Sequence, residues 1–66
     1  MAHHRQGMDH KKLRKIVEED GWRIVRHNGD HQIFKHPFKK GIVSIPHSKN
    51  ISKNVELSAL RQAGLR

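Results

Sequence analysis

Between positions 9 and 20 the apolar residues fall at Leu13, Ile16 and Val17, the i, i+3, i+4 spacing of one helical stripe. Lys11, Lys12, Arg14, Lys15 and Glu18 occupy the opposite face. Asp9 stands where a short carboxylate accepts from the free amides of a first turn. Gly21 stands where a left-handed residue ends a helix, with Trp22 folding back onto the last turn. The pattern then changes to short runs rich in β-branched and aromatic residues, which predict strands at Trp22–His27 and His31–His36. Between them lies Asn28-Gly29, the dipeptide that supplies positive φ at both central positions of a type I′ hairpin turn. Pro37 closes the second strand, because it cannot donate to a ladder. Phe38-Lys-Lys-Gly41 reads as a second turn, and Ile42-Val-Ser-Ile45 as a third strand ended by Pro46. After a loop from His47 to Ile51, Ser52 or Asn54 caps a second helix. Leu57, Leu60 and Ala63 lie on its inward face and Val55 flanks them.

The order is α-β-β-β-α. Its simplest packing puts two helices on one face of a three-stranded antiparallel sheet, a two-layer α+β domain. Residues 1–8 lack periodicity and read as a disordered tail or cloning remnant, with Met8 a candidate natural start; 9–66 form the domain. A chain of 66 residues supports one small core and sits where folding is marginal without staples or partners. It has no cysteine, which excludes disulfides and cysteine-based zinc sites. No apolar run approaches a membrane span. The expectation is a soluble, cytoplasmic protein with no membrane association.

Charge sharpens the choice of partner. The formal net charge is +8, from 14 Lys and Arg against 6 Asp and Glu. Four of the acids (Asp9, Glu18, Glu19 and Asp20) belong to the first helix region. From His31 onward the only acid is Glu56, facing Lys35, Lys39, Lys40, Lys49, Lys53, Arg61 and Arg66. A solvated basic surface accounts for any single lysine. The whole asymmetry points to a polyanion, nucleic acid above all.

The order of elements resembles the double-stranded-RNA-binding-domain fold. The local sequence resembles the HicA family of toxin ribonucleases from HicA–HicB toxin–antitoxin pairs. The matching pieces are Lys12-Leu-Arg-Lys-Ile16, Asp20-Gly-Trp22, Gly29-Asp-His31-Gln-Ile-Phe34-Lys-His-Pro37, Val43-Ser-Ile-Pro-His47 and Leu60-Arg-Gln-Ala-Gly-Leu65. They span nearly the whole chain after the tail, and their order and spacing carry the resemblance. The family's central motif is Gly-Ser-His followed closely by an aromatic. His31 and Phe34 match it, and Asp30 stands where Ser is usual. The resemblance implies a type II toxin that cleaves messenger RNA without a metal or other cofactor and so halts translation. It also implies a HicB-type antitoxin that masks the site, and a hetero-oligomer with it.

RNA is cut without metal when the 2′-OH is helped to attack its own phosphate. That takes a proton acceptor, a donor for the leaving 5′-oxygen, and cations for the developing charge. Histidine suits proton transfer because its ordinary pKa lies near neutrality. His31 is the candidate, by its place in the hairpin and by the resemblance; the alternative is a loop-edge histidine making one local hydrogen bond. A two-residue turn at Asn28-Gly29 puts Arg26 across from His31; a three-residue turn puts His27 there, and the sequence leaves both open. Lys35, Lys39, Lys40 and Lys49 read as phosphate-backbone contacts. Asp30 is an auxiliary candidate: its carboxylate orients an imidazole but also repels phosphate. His36 and His47 flank prolines and read either as contacts to RNA or antitoxin or as plain strand-end residues. No histidine spacing suits zinc, and no carboxylate cluster suits a two-metal nuclease. Phe34 and Trp22 read as core, Phe38 as exposed. The competing reading is a non-catalytic RNA-binding module of the same fold, in which the hairpin histidine has no role.

Overall fold

The structure, a computed structural model, describes residues 8–66; of the expected tail at 1–8, residues 1–7 lie outside the described residues. Helix α1 spans His10–Glu19, strands β1, β2 and β3 span Arg23–Asn28, His31–Lys35 and Val43–Pro46, and helix α2 spans Lys53–Gln62. The three strands form one antiparallel sheet in the order β1-β2-β3. The architecture is the expected α+β arrangement, and its element order is that of a double-stranded-RNA-binding-like domain. Met8 bridges Ile51 in antiparallel fashion and packs on the core edge, joining the start of the described chain to the loop before α2.

Each boundary has a local cause. Asp9 caps α1 by accepting from the Lys11 amide at 2.8 Å, and Ser52 caps α2 by accepting from the Val55 amide at 3.3 Å. Both helices end the same way. The Trp22 amide reaches back to the Val17 carbonyl and Leu65 to Leu60, with Gly21 and Gly64 in the left-handed position between. At Gly21 φ is +110° and a Cβ would sit 2.7 Å from His36 Nε2, so the site excludes any side chain. That close approach is used: His36 Nε2 donates to the Asp20 carbonyl at 2.7 Å, while its Nδ1 accepts from the Phe38 and Lys39 amides. One neutral imidazole thus ties the 36–39 turn to the end of α1.

The core lies between the helices and one sheet face. Leu13 and Val17 of α1 meet Trp22, Phe34, Val43 and Ile45, with Ala59, Leu60 and Ala63 of α2 closing it. Side chains of this size stabilise by roughly 1.5–3 kcal/mol each when fully buried. Leu57, expected inward, is only half-buried and belongs to no core contact; Ala59 takes that place, and Glu56 is buried beside it. The small alanine lets α2 lie close to β3, which accounts for the difference. Two polar ties supplement a core of limited size. Buried Gln32 donates to His10 Nδ1 at 3.2 Å and accepts from Arg14 at 3.3 Å, joining β2 to α1. Lys39 Nζ lies 2.6 Å from Asp20 and donates to the Ala63 carbonyl at 2.9 Å, joining the ends of both helices.

The Gly21→Ala variant should therefore lose about 1–3 kcal/mol of stability from backbone strain alone, with further loss if the His36 bond to Asp20 opens. Urea denaturation measures it; a midpoint equal to wild type would disprove the role given to this contact.

Candidate active site

The hairpin sets the site. Asn28 pairs with His31, His27 with Gln32 and Arg26 with Ile33. The two-residue turn is therefore Gly29-Asp30, one residue later than the Asn28-Gly29 turn expected. Only Gly29 takes positive φ, at +62°, and Asn28 does not. A glycine at the first central position alone is the type II′ pattern, and it asks nothing special of Asn28, which ends β1. Neither expected register holds: the residue across from His31 is Asn28, not Arg26 or His27. A bulge then shifts the ladder between Ile24 and Arg26, so that Ile24 pairs with Phe34 and Arg23 with Lys35.

Directly paired residues share a sheet face, and the pairs sort the candidates. Gln32 and Phe34 face the helices, with His27 beside Gln32. His31, Ile33 and Lys35 face the other way, with Asn28 and Arg26 from β1 and Ser44 and Pro46 from β3. Arg26 is thus a diagonal neighbour of His31 on the open face, at a spacing of roughly 7–8 Å. Ile33 is buried on that same face, outside the main core, between its partners Arg26 and Ser44. His27 stands on the opposite face from His31.

His31 is exposed and makes no side-chain hydrogen bond among the described residues, so both ring nitrogens are open to a ligand. It lines a shallow groove of about 290 Å³ between β3 and α2. Pro46 and Val55 supply apolar surface there; Ser44, Asn54, Ser58 and Gln62 supply hydrogen-bonding groups. Asp30 occupies the turn. Its carbonyl accepts from the His47 amide at 2.7 Å, so the turn is tied to the end of β3. Its carboxylate forms no ion pair among the described residues.

The lysines separate into three positions. Lys35 shares the open face with Arg26 and His31. Lys49 lines a cleft with His47, His10, Lys11 and Asp9 at the start of α1. Lys39 and Lys40 lie in the turn beyond the far end of β2, an end that is itself about 13 Å from His31 along the strand. Lys39, expected on phosphate, gives two of its three donors to Asp20 and Ala63. Its ammonium holds the Asp20 carboxyl below the usual carboxylate range, a shift that burial partly opposes. Arg23, near Lys35, is likewise turned inward onto the Glu18 and Trp22 carbonyls. Among the described residues no three His, Cys, Asp or Glu side chains converge as a metal site, and no helix is long and apolar enough to cross a membrane.

The reading of the sequence missed three features. The groove residues of α2 are Asn54, Ser58 and Gln62, at i, i+4, i+8 on one face, and that uncharged polar stripe was visible in the spacing. Gln32 shares strand parity with Phe34, which marks it as inward. His10 is buried and stacks on His47 with ring centroids 4.1 Å apart; no sequence signal announces it.

The fold and site together define a small α+β domain with an exposed histidine on an open, cation-bearing sheet face. The comparison with known families makes this specific: the chain belongs to the HicA toxin family, whose model, described as the HicA toxin of bacterial toxin–antitoxin, matches residues 10–65. It is accordingly the toxin side of a toxin–antitoxin system. No match to a curated protein is found.

The buried His10 gives a pH dependence with a definite sign. Burial, reinforced by His47, pulls its pKa below the ordinary 6.5; Arg14 and Lys11 act the same way and Asp9 opposes them. The folded protein therefore refuses a proton that unfolded His10 accepts, so this contribution is present above about pH 6.5 and is lost as pH falls toward the lower folded value. Thermal midpoints should drop between pH 7 and pH 5, and the His10→Gln variant should show a shallower drop. Parallel curves for the two proteins would refute the assignment.

Proposed function

We propose that this toxin is a metal-independent endoribonuclease that cleaves messenger RNA and thereby inhibits translation, with His31 moving the proton. The observation that carries the reading is the place of His31: exposed, without a side-chain hydrogen bond among the described residues, beside a groove, with Arg26 and Lys35 on the same sheet face. His31 takes the proton of a ribose 2′-OH as that oxygen attacks the adjacent phosphorus. The phosphorus–5′-oxygen bond breaks, leaving a 2′,3′-cyclic phosphate, and the 5′-oxygen leaves with a proton taken up from solvent. Arg26 is the nearer cation for the charge that develops on the phosphoryl oxygens. Lys35 and Lys49 hold the flanking backbone without reading sequence, and Lys40 is an outlying contact. Lys39, engaged in the fold, is left out of this set.

Asp30 sits next to His31 but in the turn, and its carboxylate sets a negative charge close to the phosphate path. The partner is a HicB-type antitoxin that covers the open face, and the toxin is stabilised by that association through mass action. Residues 9–66 act as the one toxin domain.

The test is cleavage of a labelled RNA by purified protein in excess chelator. The His31→Ala variant should cut 10²–10⁴-fold more slowly, with its circular dichroism unchanged. Equal cutting by both proteins would remove His31 from the mechanism, and no cutting by either, with RNA still bound, would favour a binding module. A second measurement bears on Lys35. Lys35→Gln should weaken RNA binding evenly across sequences and reduce the salt slope of log K by about 1; an unchanged slope would take Lys35 out of the interface.

A further inference from the structure

We propose that the groove between β3 and α2 is a nucleoside subsite, in which Gln62 and Ser58 read the edge of one unpaired RNA base next to the cut. This rests on the ribonuclease reading and assigns a substrate position within it.

The chemistry of the lining is the first reason. His31 apart, the groove residues carry no ionisable side chain, although the chain has a net charge of +8. A phosphate pocket would be expected to hold cations. This groove instead offers the apolar surfaces of Pro46 and Val55 and the uncharged polar groups of Ser44, Asn54, Ser58 and Gln62. A nucleobase has the matching character, with apolar faces and a rim of donors and acceptors. The volume of about 290 Å³ lies at the small end of ligand sites, and the groove is open, which suits one splayed base of a single strand rather than a duplex.

The second reason is that one reading group is already oriented. Gln62 Oε1 accepts from the Ser44 backbone amide at 2.9 Å. A backbone N–H only donates, so this bond fixes which end of the carboxamide faces β3, and Nε2 with its two protons is left to face elsewhere. Ser58 lies one turn earlier on the same helix face and Asn54 one turn before that, so the donors form a line along β3. β3 carries Pro46 directly across from His31. A base held along this line therefore keeps its ribose close to the histidine.

A fixed Gln62 donor favours a base edge that presents an acceptor. In the Gln62→Glu variant one carboxylate oxygen still accepts from Ser44, while the other now presents an acceptor in place of the donor. The preference should then move toward bases that present an amino group. Ser58→Ala removes a hydroxyl from an exposed helix position without disturbing the core.

The experiment cuts a pool of short randomised RNAs with wild type, Ser58→Ala and Gln62→Glu, in chelator, and sequences the ends. The expected result is that both variants still cut, while the base preference beside the scissile bond changes by about tenfold or more for Gln62→Glu and relaxes for Ser58→Ala. Cut-site preferences identical to wild type in both variants would overturn the proposal. If the wild-type protein does not cut at all, the ribonuclease reading fails on its own. The subsite is then judged by titrating the protein with a short unpaired oligoribonucleotide and following the side-chain amide signals of Gln62 and Asn54. Shifts there support the subsite, and unshifted signals with RNA bound elsewhere overturn it.

Discussion

Where the chain reverses between β1 and β2 decides what His31 stands beside. Side chains on a strand alternate between faces, so moving a two-residue turn along by one slides each cross-strand partner by two positions on the same face, whereas one added loop residue brings in a partner from the other face. With Gly29-Asp30 as the turn, His31 faces Asn28 and has Arg26 as its diagonal neighbour on the open face. Had the loop taken three residues, His27 would have stood opposite His31. The bulge between Ile24 and Arg26 then acts as a second adjustment. It brings Ile24 round to pair with Phe34 on the helix face. The turn alone, through one positive φ at Gly29, places the Arg26 cation near the histidine.

A core this small leaves the ends of its elements to polar contacts. Lys39, Asp20, Trp22 and His36 form one such knot: the Asp20 carboxylate takes both the Lys39 ammonium and the Trp22 indole N–H, and its carbonyl takes His36. Lys39 also reaches the carbonyl of Ala63, the C-cap of α2, where a cation complements the helix dipole. At the other end, Gln32, His10 and Arg14 connect β2 to α1, and the Asp30 carbonyl connects the hairpin turn to His47. The His31 end of β2 is therefore tied to α1 and to the loop after β3, while the imidazole has no side-chain hydrogen bond among the described residues. A rigid backbone beneath such a group is what proton transfer at a fixed geometry, as proposed for His31, would require.

Much of this was legible in the sequence, and the exceptions share a cause. The caps, glycine stop and strand punctuation act over three or four residues, so Asp9, Ser52, Gly21 and Pro37 announced their elements with little error. The hairpin signal was right in kind and wrong by one position, because Gly29 serves either turn and only the ladder beyond it decides which. Long-range choices were hidden. Nothing near Lys39 says that its ammonium will meet Asp20, nineteen positions earlier. Whether a lysine binds phosphate or closes a fold depends on tertiary distance, and composition counts both alike. The same holds for Leu57 and Ala59, whose exchange reflects how closely α2 approaches β3.

The distribution of charge over the site follows from that packing and bears on how RNA would be handled. Of the cations proposed to meet RNA, Arg26 and Lys35 stand on the open sheet face and Lys49 in the loop after β3. The groove beside α2 carries neutral amides and hydroxyls. Phosphates attract cations at a distance and give affinity without sequence choice, whereas bases are read by donors and acceptors held at fixed positions. On the proposed reading, His31 at the boundary between the two surfaces would stand where backbone and base diverge, at the ribose. The division of neutral from charged side chains would then bring the 2′-hydroxyl to the histidine without asking His31 to bind RNA itself.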